Sequence, residues 1–257
     1  MIIKSYHFSD LGNYRKINED CVLILNKIFQ PQNMKSFEYQ VVNVPNPFFA
    51  IADGMGGHEK GEIASFSTLK FLMENMSQNT SPKEFKSLLF KAKANLNEIA
   101  TSNQSPGLGT TFTGTYFFQN LVHIFNIGDS RVYRIRRRKL ERITDDHSEV
   151  FELFSDGKIT EDEMRTHKHK NLLTSALIGD LTNQKPNIFE KSLPIQIGDL
   201  FLLCSDGLWE GIPLAHLEKI FLENSAEEEI CSELIHFSLK YGGMDNLSFI
   251  LLKVVDA

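Results

Sequence analysis

Five acidic groups in the sequence stand directly beside short apolar runs that are typical of buried β-strands. The groups are Asn18-Glu19-Asp20, Asp53-Gly54, Asp129, Asp206-Gly207 and Asp245-Asn246. A single Asp-Gly pair commonly marks a turn, because Asp bonds its own backbone and Gly tolerates a positive φ. Five such groups favour a shared site, because antiparallel neighbours bring an Asp that follows one strand close to an Asp that precedes the next.

Carboxylates that converge repel one another, and we expect a cation to hold them together. Oxygen ligands select hard divalent ions such as Mg²⁺ or Mn²⁺, and the lack of an accompanying histidine or cysteine pair disfavours zinc. Two such ions roughly 3.5–4 Å apart can hold a bridging hydroxide and stabilise an in-line displacement at phosphorus. The acidic groups therefore indicate metal-assisted hydrolysis of a phosphate ester, a reaction that is very slow without assistance.

A phosphate site also needs a positive partner, and Arg15 lies three residues before Asn18. Its guanidinium presents a planar fork of donors that matches two phosphate oxygens. Position alone does not separate this role from that of an ordinary surface arginine, so both interpretations stay open at this point.

Six apolar runs predict the strands that must position these groups. They cover residues 21–25, 48–52, 121–127, 131–135, 199–204 and 247–255. Apolar residues at helical spacing predict helices over 59–76 and from a capping box at Ser81 to about Ala100. Capping boxes at Thr160 and Ser225 predict two more helices. Strands and helices come in runs rather than alternating, which favours an α+β fold with antiparallel sheets.

The chain has 257 residues and no linker-like stretch, so we predict a single domain over residues 1–257, with residues 26–47 as a hairpin or surface excursion. A formal net charge of −6 argues against a nucleic-acid binder, because such domains are usually basic. No apolar run reaches the roughly 18 residues of a membrane span, and the first residues lack the apolar region of a signal peptide. Three widely separated cysteines suggest neither disulfides nor zinc. We therefore expect a cytoplasmic protein.

The acidic groups belong to a longer series of short motifs. In chain order these are Gly12-x-x-Arg15-x-x-Asn18-Glu19-Asp20, Ala52-Asp53-Gly54-Met55-Gly56-Gly57-His58, Gly109-Thr110-Thr111, Gly128-Asp129-Ser130-Arg131, Thr144-x-Asp146-His147-Ser148, Ser205-Asp206-Gly207-Leu208-Trp209 and Asp245-Asn246. The series resembles that of the metal-dependent protein phosphatases (PPM), in the bacterial form of the protein phosphatase 2C type. Each motif alone is weak evidence for the family, but the whole set occurs in the family's order across nearly the entire chain.

The resemblance implies a four-layer α-β-β-α sandwich that hydrolyses phosphoserine and phosphothreonine in proteins by attack of a metal-bridging hydroxide. It implies two Mn²⁺ or Mg²⁺ ions, with a third ion seen in bacterial members. By family correspondence, Asp53 bridges two metals and the Gly54 carbonyl binds one of them. The further ligands are Asp206 and Asp245 for one metal, Glu19 and Asp20 for the other, and Asp129 with Asp206 for the third. Arg15 grips the substrate phosphate.

Residues 148–171 resemble the family's flap, a small mobile subdomain beside the active site, and we expect them to affect substrate choice more than chemistry. Some members carry a histidine two residues after the bridging Asp as general acid. This chain has Met55 there, which cannot donate a proton. His58 is near in sequence, but its position after two glycines favours a structural role.

Two other stretches each allow a structural and a functional interpretation. The basic run 134–139 is typical of an exposed β-hairpin tip, and the alternative is a docking patch for acidic or phosphorylated partners. Residues 107–111 have the glycines of a phosphate loop but lack its Gly-Lys-Ser/Thr signature and following helix. We therefore do not expect a nucleotide site there.

We expect an active protein serine/threonine phosphatase. The alternatives are a catalytically inactive PPM-fold protein that binds phosphoproteins or regulates a kinase, and a hydrolase of small phosphate esters. An inactive member is expected to have lost a metal carboxylate, whereas all six predicted acidic positions are acidic here. The expected partners are phosphorylated proteins, with a Hanks-type serine/threonine kinase as the opposing enzyme by family inference, and the chain is expected to act as a monomer.

Overall fold

The computed structural model describes residues 1–55, 60–180, 182, 184–241 and 243–256. The described strands are β1 (Ile2–Asp10), β2 (Asp20–Ile24), β3 (Lys27–Phe29), β4 (Glu38–Asn43), β5 (Phe48–Met55), β6 (Gly109–Thr110), β7 (Phe112–Phe118), β8 (Leu121–Ile127), β9 (Arg131–Arg136), β10 (Lys139–Arg142), β11 (Leu177–Ile178), β12 (Phe189–Pro194), β13 (Leu200–Cys204) and β14 (Leu247–Asp256). The described helices are α1 (Gly61–Asn75), α2 (Pro82–Ser102), α3 (Glu149–Ser155), α4 (Glu161–Thr166), α5 (Asp206–Trp209), α6 (Leu214–Glu223) and α7 (Glu227–Tyr241).

The strands form two sheets in which every pairing is antiparallel. The first sheet has the order β10-β9-β13-β14-β1-β4. The second has the order β11-β6-β5-β7-β8-β12, and β2 joins it by pairing with β5 and with β3. Antiparallel sheets are the expected result of strands that follow one another in runs.

Three apolar clusters show how the layers stack. One cluster lies between the second sheet and helices α1 and α2, and includes Leu69, Phe85 and Phe125. A second lies between the first sheet and helices α5, α6 and α7. The third joins the inner faces of the two sheets and includes Phe117 and Ile250. The order helix, sheet, sheet, helix confirms the predicted four-layer α+β sandwich.

Local sequence signals account for several element boundaries. Strand β8 covers the predicted run 121–127. Helix α2 begins at the predicted capping box, in which the Ser81 hydroxyl accepts from the Glu84 N–H and the Glu84 carboxylate accepts from the Ser81 N–H. The Thr160 box likewise starts α4. These positions satisfy backbone N–H groups that an uncapped helix end leaves without partners.

The predicted capping box at Ser225 does not form, although a helix does begin nearby. The Ser225 hydroxyl accepts from Arg138 at 2.8 Å, and the Glu228 carboxylate accepts from the Tyr6 hydroxyl at 2.8 Å. Both side chains have distant partners that the local sequence does not reveal. Helix α7 therefore begins at Glu227 without this box.

Residues 26–47 do more than form one hairpin. Strand β3 pairs back on β2 within the second sheet, as a hairpin should. The chain then crosses to the first sheet, where β4 pairs with β1 as the edge strand. The segment thus bridges the two sheets, which its proline-rich composition does not indicate.

None of the helices in the described ranges is long and apolar enough to cross a membrane.

Candidate active site

One cavity of about 240 Å³ collects most of the residues that the sequence analysis singled out. It is lined by Arg15, Glu19, Asp53, Gly54, Met55, Thr111, Asp129, Asn171, Leu173, Asp206 and Asp245. Of the predicted site residues only Asp20 is missing from this lining. Its side chain is fully buried. Residues that are far apart in sequence therefore share one wall.

The start of β2 and the end of β5 place two carboxylates side by side, because Asp20 is the register partner of Asp53. The Oδ2 atom of Asp20 accepts from the Ser205 hydroxyl at 2.8 Å, whereas its Oδ1 has no hydrogen-bond partner among the described residues. Thr111 fixes the backbone of Asp53 by donating its N–H to the Asp53 carbonyl at 2.8 Å. Its hydroxyl accepts from the Asp53 N–H at 3.1 Å.

A close backbone approach at Gly54 brings Glu19 and the start of α1 together. The Gly54 N–H donates to the Glu19 carbonyl at 3.1 Å, and the Gly61 N–H donates to the Glu19 carboxylate at 3.1 Å. A Cβ at Gly54 would collide with the Gly61 carbonyl, and a Cβ at Gly61 would collide with the Glu19 carboxylate. Glycine is required at both positions because no side chain fits between these segments.

The first sheet supplies Asp206 at the point where β13 ends and the short helix α5 begins. The Oδ1 atom of Asp206 is buried and has no described hydrogen-bond partner. Asp129 lies between β8 and β9, and its carbonyl accepts from the Trp209 indole at 3.0 Å. Trp209 is 2% exposed and packs under the Arg131 guanidinium, 3.5 Å from its ring centroid. Trp209 therefore packs in the core, and its indole also links α5 to Asp129.

The buried Asn246 side chain holds two loops of the site together through hydrogen bonds that were not predicted from the sequence. Its Oδ1 accepts from the Glu19 N–H at 2.9 Å. Its amide group donates to the carbonyls of Leu11 and Ile17 at 3.1 and 3.0 Å. These three bonds join the loop before β2 to the loop before β14. The only sequence signal was its place beside Asp245.

Arg15 lies at the edge of this arrangement and is half-exposed. Its Nη2 atom donates to Asp245 Oδ2 at 2.7 Å, and its Nη1 atom lies 4.0 Å from Glu19 Oε2. The guanidinium therefore spans two acidic loops at the mouth of the cavity. Of the described lining residues it is the single basic one.

Burial and mutual repulsion raise the pKa of the carboxyls in this region. Burial is the main cause for Asp20 and Asp129, and it raises the pKa of each to about 7. The pKa of Asp53 rises well above its ordinary range, first through burial and then through repulsion from Asp20 and other carboxylates. The pKa of Asp206 rises in the same way, with Asp245 the strongest neighbour. The protein alone leaves this negative charge poorly compensated.

These features fit divalent cations bound through oxygen. Two buried carboxylate oxygens, on Asp20 and Asp206, have no described partner, and repulsion among their neighbours disfavours the charged form. As they stand, no three His, Cys, Asp or Glu side chains in the described ranges surround one point closely enough to hold a metal ion. Such a wall suits a cation such as Mg²⁺, which keeps several waters and takes only one or two carboxylates directly.

The predicted flap range contains α3 and α4, and the residues that follow α4 reach the cavity. Lys170 forms an ion pair with the Glu210 carboxylate, and the next residues, Asn171 and Leu173, line the cavity. Glu210 is one turn beyond Asp206, to whose carbonyl its N–H donates at 2.8 Å. The flap is thereby tied to the helix that carries a predicted metal ligand. Lys170 and Asn171 lie within the predicted flap range, but no sequence signal indicates these contacts.

A second contact links the predicted flap range to Glu210. The Arg165 side chain in α4 donates to the Glu210 carbonyl at 3.0 and 2.7 Å. Arg131 and Arg142 face Glu161 at 3.6 and 2.9 Å, which fixes the other end of α4. The segment beside the cavity is therefore held at both ends by charged contacts.

The remaining sequence predictions near the site have separate outcomes. Met55 lines the cavity. His58 lies outside the described residues, as do the neighbouring positions 56, 57 and 59. Gly107 precedes β6, Gly109 is its first residue and β7 follows, so residues 107–111 lead into strands rather than into the helix of a phosphate loop.

Comparison with known proteins agrees with this geometry. The protein phosphatase 2C family model matches residues 38–248, a range that includes Asp53, Asp129, Asp206 and Asp245 but begins after Arg15. The serine/threonine phosphatase stp of Listeria monocytogenes is 33% identical over 215 residues, which are 80% of this chain and 84% of that protein.

Solved structures extend the similarity to the whole fold. The serine/threonine phosphatase Stp1 of Staphylococcus aureus aligns with a TM-score of 0.80 and 28% identity, over 98% of this chain and 95% of that chain. The catalytic domain of the phosphatase PstP in complex with two manganese ions aligns with a TM-score of 0.77 and 27% identity, over all of both chains. On these matches and on the order of its motifs, the chain belongs to the protein phosphatase 2C family.

Proposed function

We propose that the carboxylate-lined cavity is the active site of this chain, a metal-dependent protein serine/threonine phosphatase that hydrolyses phosphoserine and phosphothreonine. The observation that carries the proposal is the gathering of Glu19, Asp53, Asp129, Asp206 and Asp245 with Arg15 around one cavity. Buried carboxylates with raised pKa values need cations, and a nearby guanidinium is the preferred partner of a phosphoryl group.

Within this proposal, Mn²⁺ or Mg²⁺ ions are held by the Asp53 carboxylate, the Gly54 carbonyl and the other carboxylates of the wall. Bound divalent ions lower the pKa of water and stabilise the negative charge on the attacking and leaving oxygens. Asp20 supports this wall from behind, next to Asp53 in the sheet. A third ion near Asp129 and Asp206 is part of the proposal, because Asp129 and one carboxylate oxygen of Asp206 are buried and both carboxyls have raised pKa values.

Arg15 has a matching role for the substrate. Its guanidinium now donates to Asp245 at 2.7 Å. If Asp245 were to hold a cation, the Arg15 guanidinium would be free to donate to two oxygens of a phosphoryl group. Arg15 is half-exposed at the cavity mouth, so a phosphorylated side chain can reach it without unfolding the wall.

The sequence alternative of an inactive, phosphoprotein-binding member is less well supported. Every predicted acidic ligand is present, and five of them line the same cavity. We propose in addition that the chain acts as a monomer and that its substrates are phosphorylated by a kinase of the Hanks type, of which the kinase follows from the family resemblance alone.

The flap contacts support a role in holding protein substrates. We propose that residues 148–171 form a subdomain whose last residues set the wall of the cavity. The Lys170–Glu210 ion pair and the Arg165 bonds to the Glu210 carbonyl position Asn171, the last residue of this range, and Leu173 just beyond it. A loosened segment would lower affinity for a peptide more than it would change the reaction at phosphorus.

The metal ligands are tested by turnover of a phosphothreonine peptide with Mn²⁺, with Mg²⁺ and with chelator. We expect turnover only with metal, and a loss of at least about 100-fold in kcat/KM for Asp206→Asn, since even indirect supports of a metal site are worth 10–100-fold. Asp156→Asn, at an exposed flap position, is the matched control and should keep full activity. Full turnover by a folded Asp206→Asn protein would contradict the metal assignment.

The role of Arg15 is tested by two substitutions. Arg15→Ala should raise KM for the phosphothreonine peptide by about 10-fold or more, because a charge-assisted bidentate contact is lost, with a smaller effect on kcat. Arg15→Lys keeps the positive charge but loses the planar fork of donors, so its KM should lie between those of wild type and Arg15→Ala. Steady-state kinetics at saturating Mn²⁺ separates the constants, and an unchanged KM in both variants would remove Arg15 from the phosphate site.

The flap tie is tested with Lys170→Met. We expect a several-fold higher KM for the phosphothreonine peptide and a smaller change for a small aryl phosphate, because the peptide needs the ordered wall. Lys158→Met breaks only an exposed ion pair with Asp156 and serves as the control. Both substrates are compared at saturating Mn²⁺. Equal KM values for Lys170→Met and wild type would show that this tie does not position the wall.

A further inference from the structure

The β9–β10 hairpin concentrates positive charge on a chain whose formal net charge is −6. Arg136 stands directly opposite Lys139 in the antiparallel register. Like charges at directly opposed positions destabilise a strand pair. The neighbouring cross-strand pair, Arg134 and Glu141, has opposite charges and forms an ion pair. The end of the hairpin is therefore more basic than the stability of the sheet requires.

The turn between these strands consists of two arginines in an unfavourable backbone conformation. Arg137 has a φ of 54° and Arg138 a φ of 64°. Two-residue hairpin turns of this kind favour Asn-Gly or Asp-Gly, because most side chains avoid positive φ. Arg138 has a structural role, since it donates to the Leu222 carbonyl at 3.0 Å and to Ser225 at 2.8 Å. Arg137 has no hydrogen bond or ion pair with any residue that the structure describes.

A groove of about 760 Å³ opens beside this hairpin. It is lined by Arg134, Arg136, Arg137, Lys139, Leu140, Glu141 and Gln196. Glu141 neutralises Arg134, and Asp199 binds the fork of Arg136 through two bonds of 2.7 Å. Arg137 and Lys139 are exposed, and neither has an acidic partner among the described residues. The groove therefore presents two unpaired cations above a fixed layer of ion pairs.

We propose that this groove, the hairpin groove, docks an acidic segment of a protein partner. A short extended peptide with Asp or Glu side chains matches two free cations beside an apolar Leu140 surface. A polynucleotide fits less well, because phosphate-backbone binders neutralise many phosphates at once and the rest of this chain is acidic. The groove provides a local contact that two or three carboxylates can satisfy.

The position of the groove relates it to the active site. Arg137 is eight residues beyond Asp129, and β9 runs between them as an extended strand. At about 3.3 Å per residue the separation is roughly 25 Å, so a substrate needs at least about eight residues between its phosphorylated residue and its acidic segment. This link to substrates rests on the proposed function, whereas docking of the acidic segment does not.

Docking is tested first by binding, without catalysis. The probe is a fluorescent, unphosphorylated peptide with six consecutive Glu residues, and its partner peptide has Gln in their place. We expect wild type to prefer the Glu peptide, and the double variant R137E/K139E to bind it at least about tenfold more weakly, because two attractive contacts become repulsive. The neutral variant R137Q/K139Q should bind the Glu peptide with an affinity between those of wild type and R137E/K139E. Melting curves check that each variant is folded.

The matched control is K83E/K91E, which makes the same change in net charge at two exposed lysines of α2, on the helix layer of the other sheet. We expect it to bind the Glu peptide as wild type does, within about twofold. Equal losses in the two double variants would assign the effect to bulk charge and overturn the proposal. Tighter binding of a single-stranded oligonucleotide than of the Glu peptide, lost in R137E/K139E, would also overturn it.

Kinetics then tests the link to substrates. A phosphothreonine peptide with the Glu run ten residues away should have a KM about fivefold lower than its Gln counterpart in wild type, and equal KM values in R137E/K139E. Activity on a small aryl phosphate should not change in that variant. Equal KM values in wild type would overturn the substrate role. No turnover of any phosphopeptide by any variant would instead refute the proposed function, and the binding result would still decide docking.

Discussion

The repulsion among buried carboxylates is the constraint on which the rest of this structure depends. Asp53 is partly buried, and its pKa is raised because burial and the charges of Asp20, Asp206 and Asp245 all oppose its ionisation. Such groups spread apart or take up protons unless the fold and bound cations hold them. The four-layer sandwich is the fold that holds these groups in place, and the chemistry of the site requires the bound cations.

The scaffold opposes the repulsion with backbone contacts rather than with basic side chains. The β2–β5 register fixes Asp20 beside Asp53, and the three bonds of Asn246 join the loops that carry Glu19 and Asp245. The close approach at Gly54 leaves no room for a side chain. These contacts leave one carboxylate oxygen of Asp20 and one of Asp206 without a described partner, so both oxygens are free to meet an ion. Arg15 is half-exposed, and in the proposed function it exchanges Asp245 for a phosphoryl group.

Much of this arrangement is readable from the sequence, for identifiable physical reasons. Apolar runs such as 121–127 define strands, and the Ser81 and Thr160 boxes define helix starts, because both signals are local. Acidic residues at strand ends converge because antiparallel sheets bring those ends together. The capping box predicted at Ser225 does not form, and the passage of residues 26–47 from the second sheet to the first was not predicted. In both cases the deciding partners are distant in sequence. The roles of Asn246 and Glu210 were hidden for the same reason.

Charge also divides the surface into regions with different tasks. The cavity collects negative charge and one arginine, while the flap reaches it through the Lys170–Glu210 ion pair. The hairpin groove carries two unpaired cations at roughly 25 Å from Asp129. A phosphoprotein that offers one phosphoryl group and a distant acidic segment matches both regions at once, and linking two weak contacts in this way raises overall affinity.

Anomalous diffraction at the manganese edge, from crystals grown with Mn²⁺ at a concentration that supports turnover, tests directly whether the carboxylates of the cavity hold metal ions. We expect at least two anomalous peaks inside the cavity, each within coordination distance of the Asp53 carboxylate. An empty cavity in crystals of a protein that is active under the same conditions, or peaks only at other sites, would contradict it.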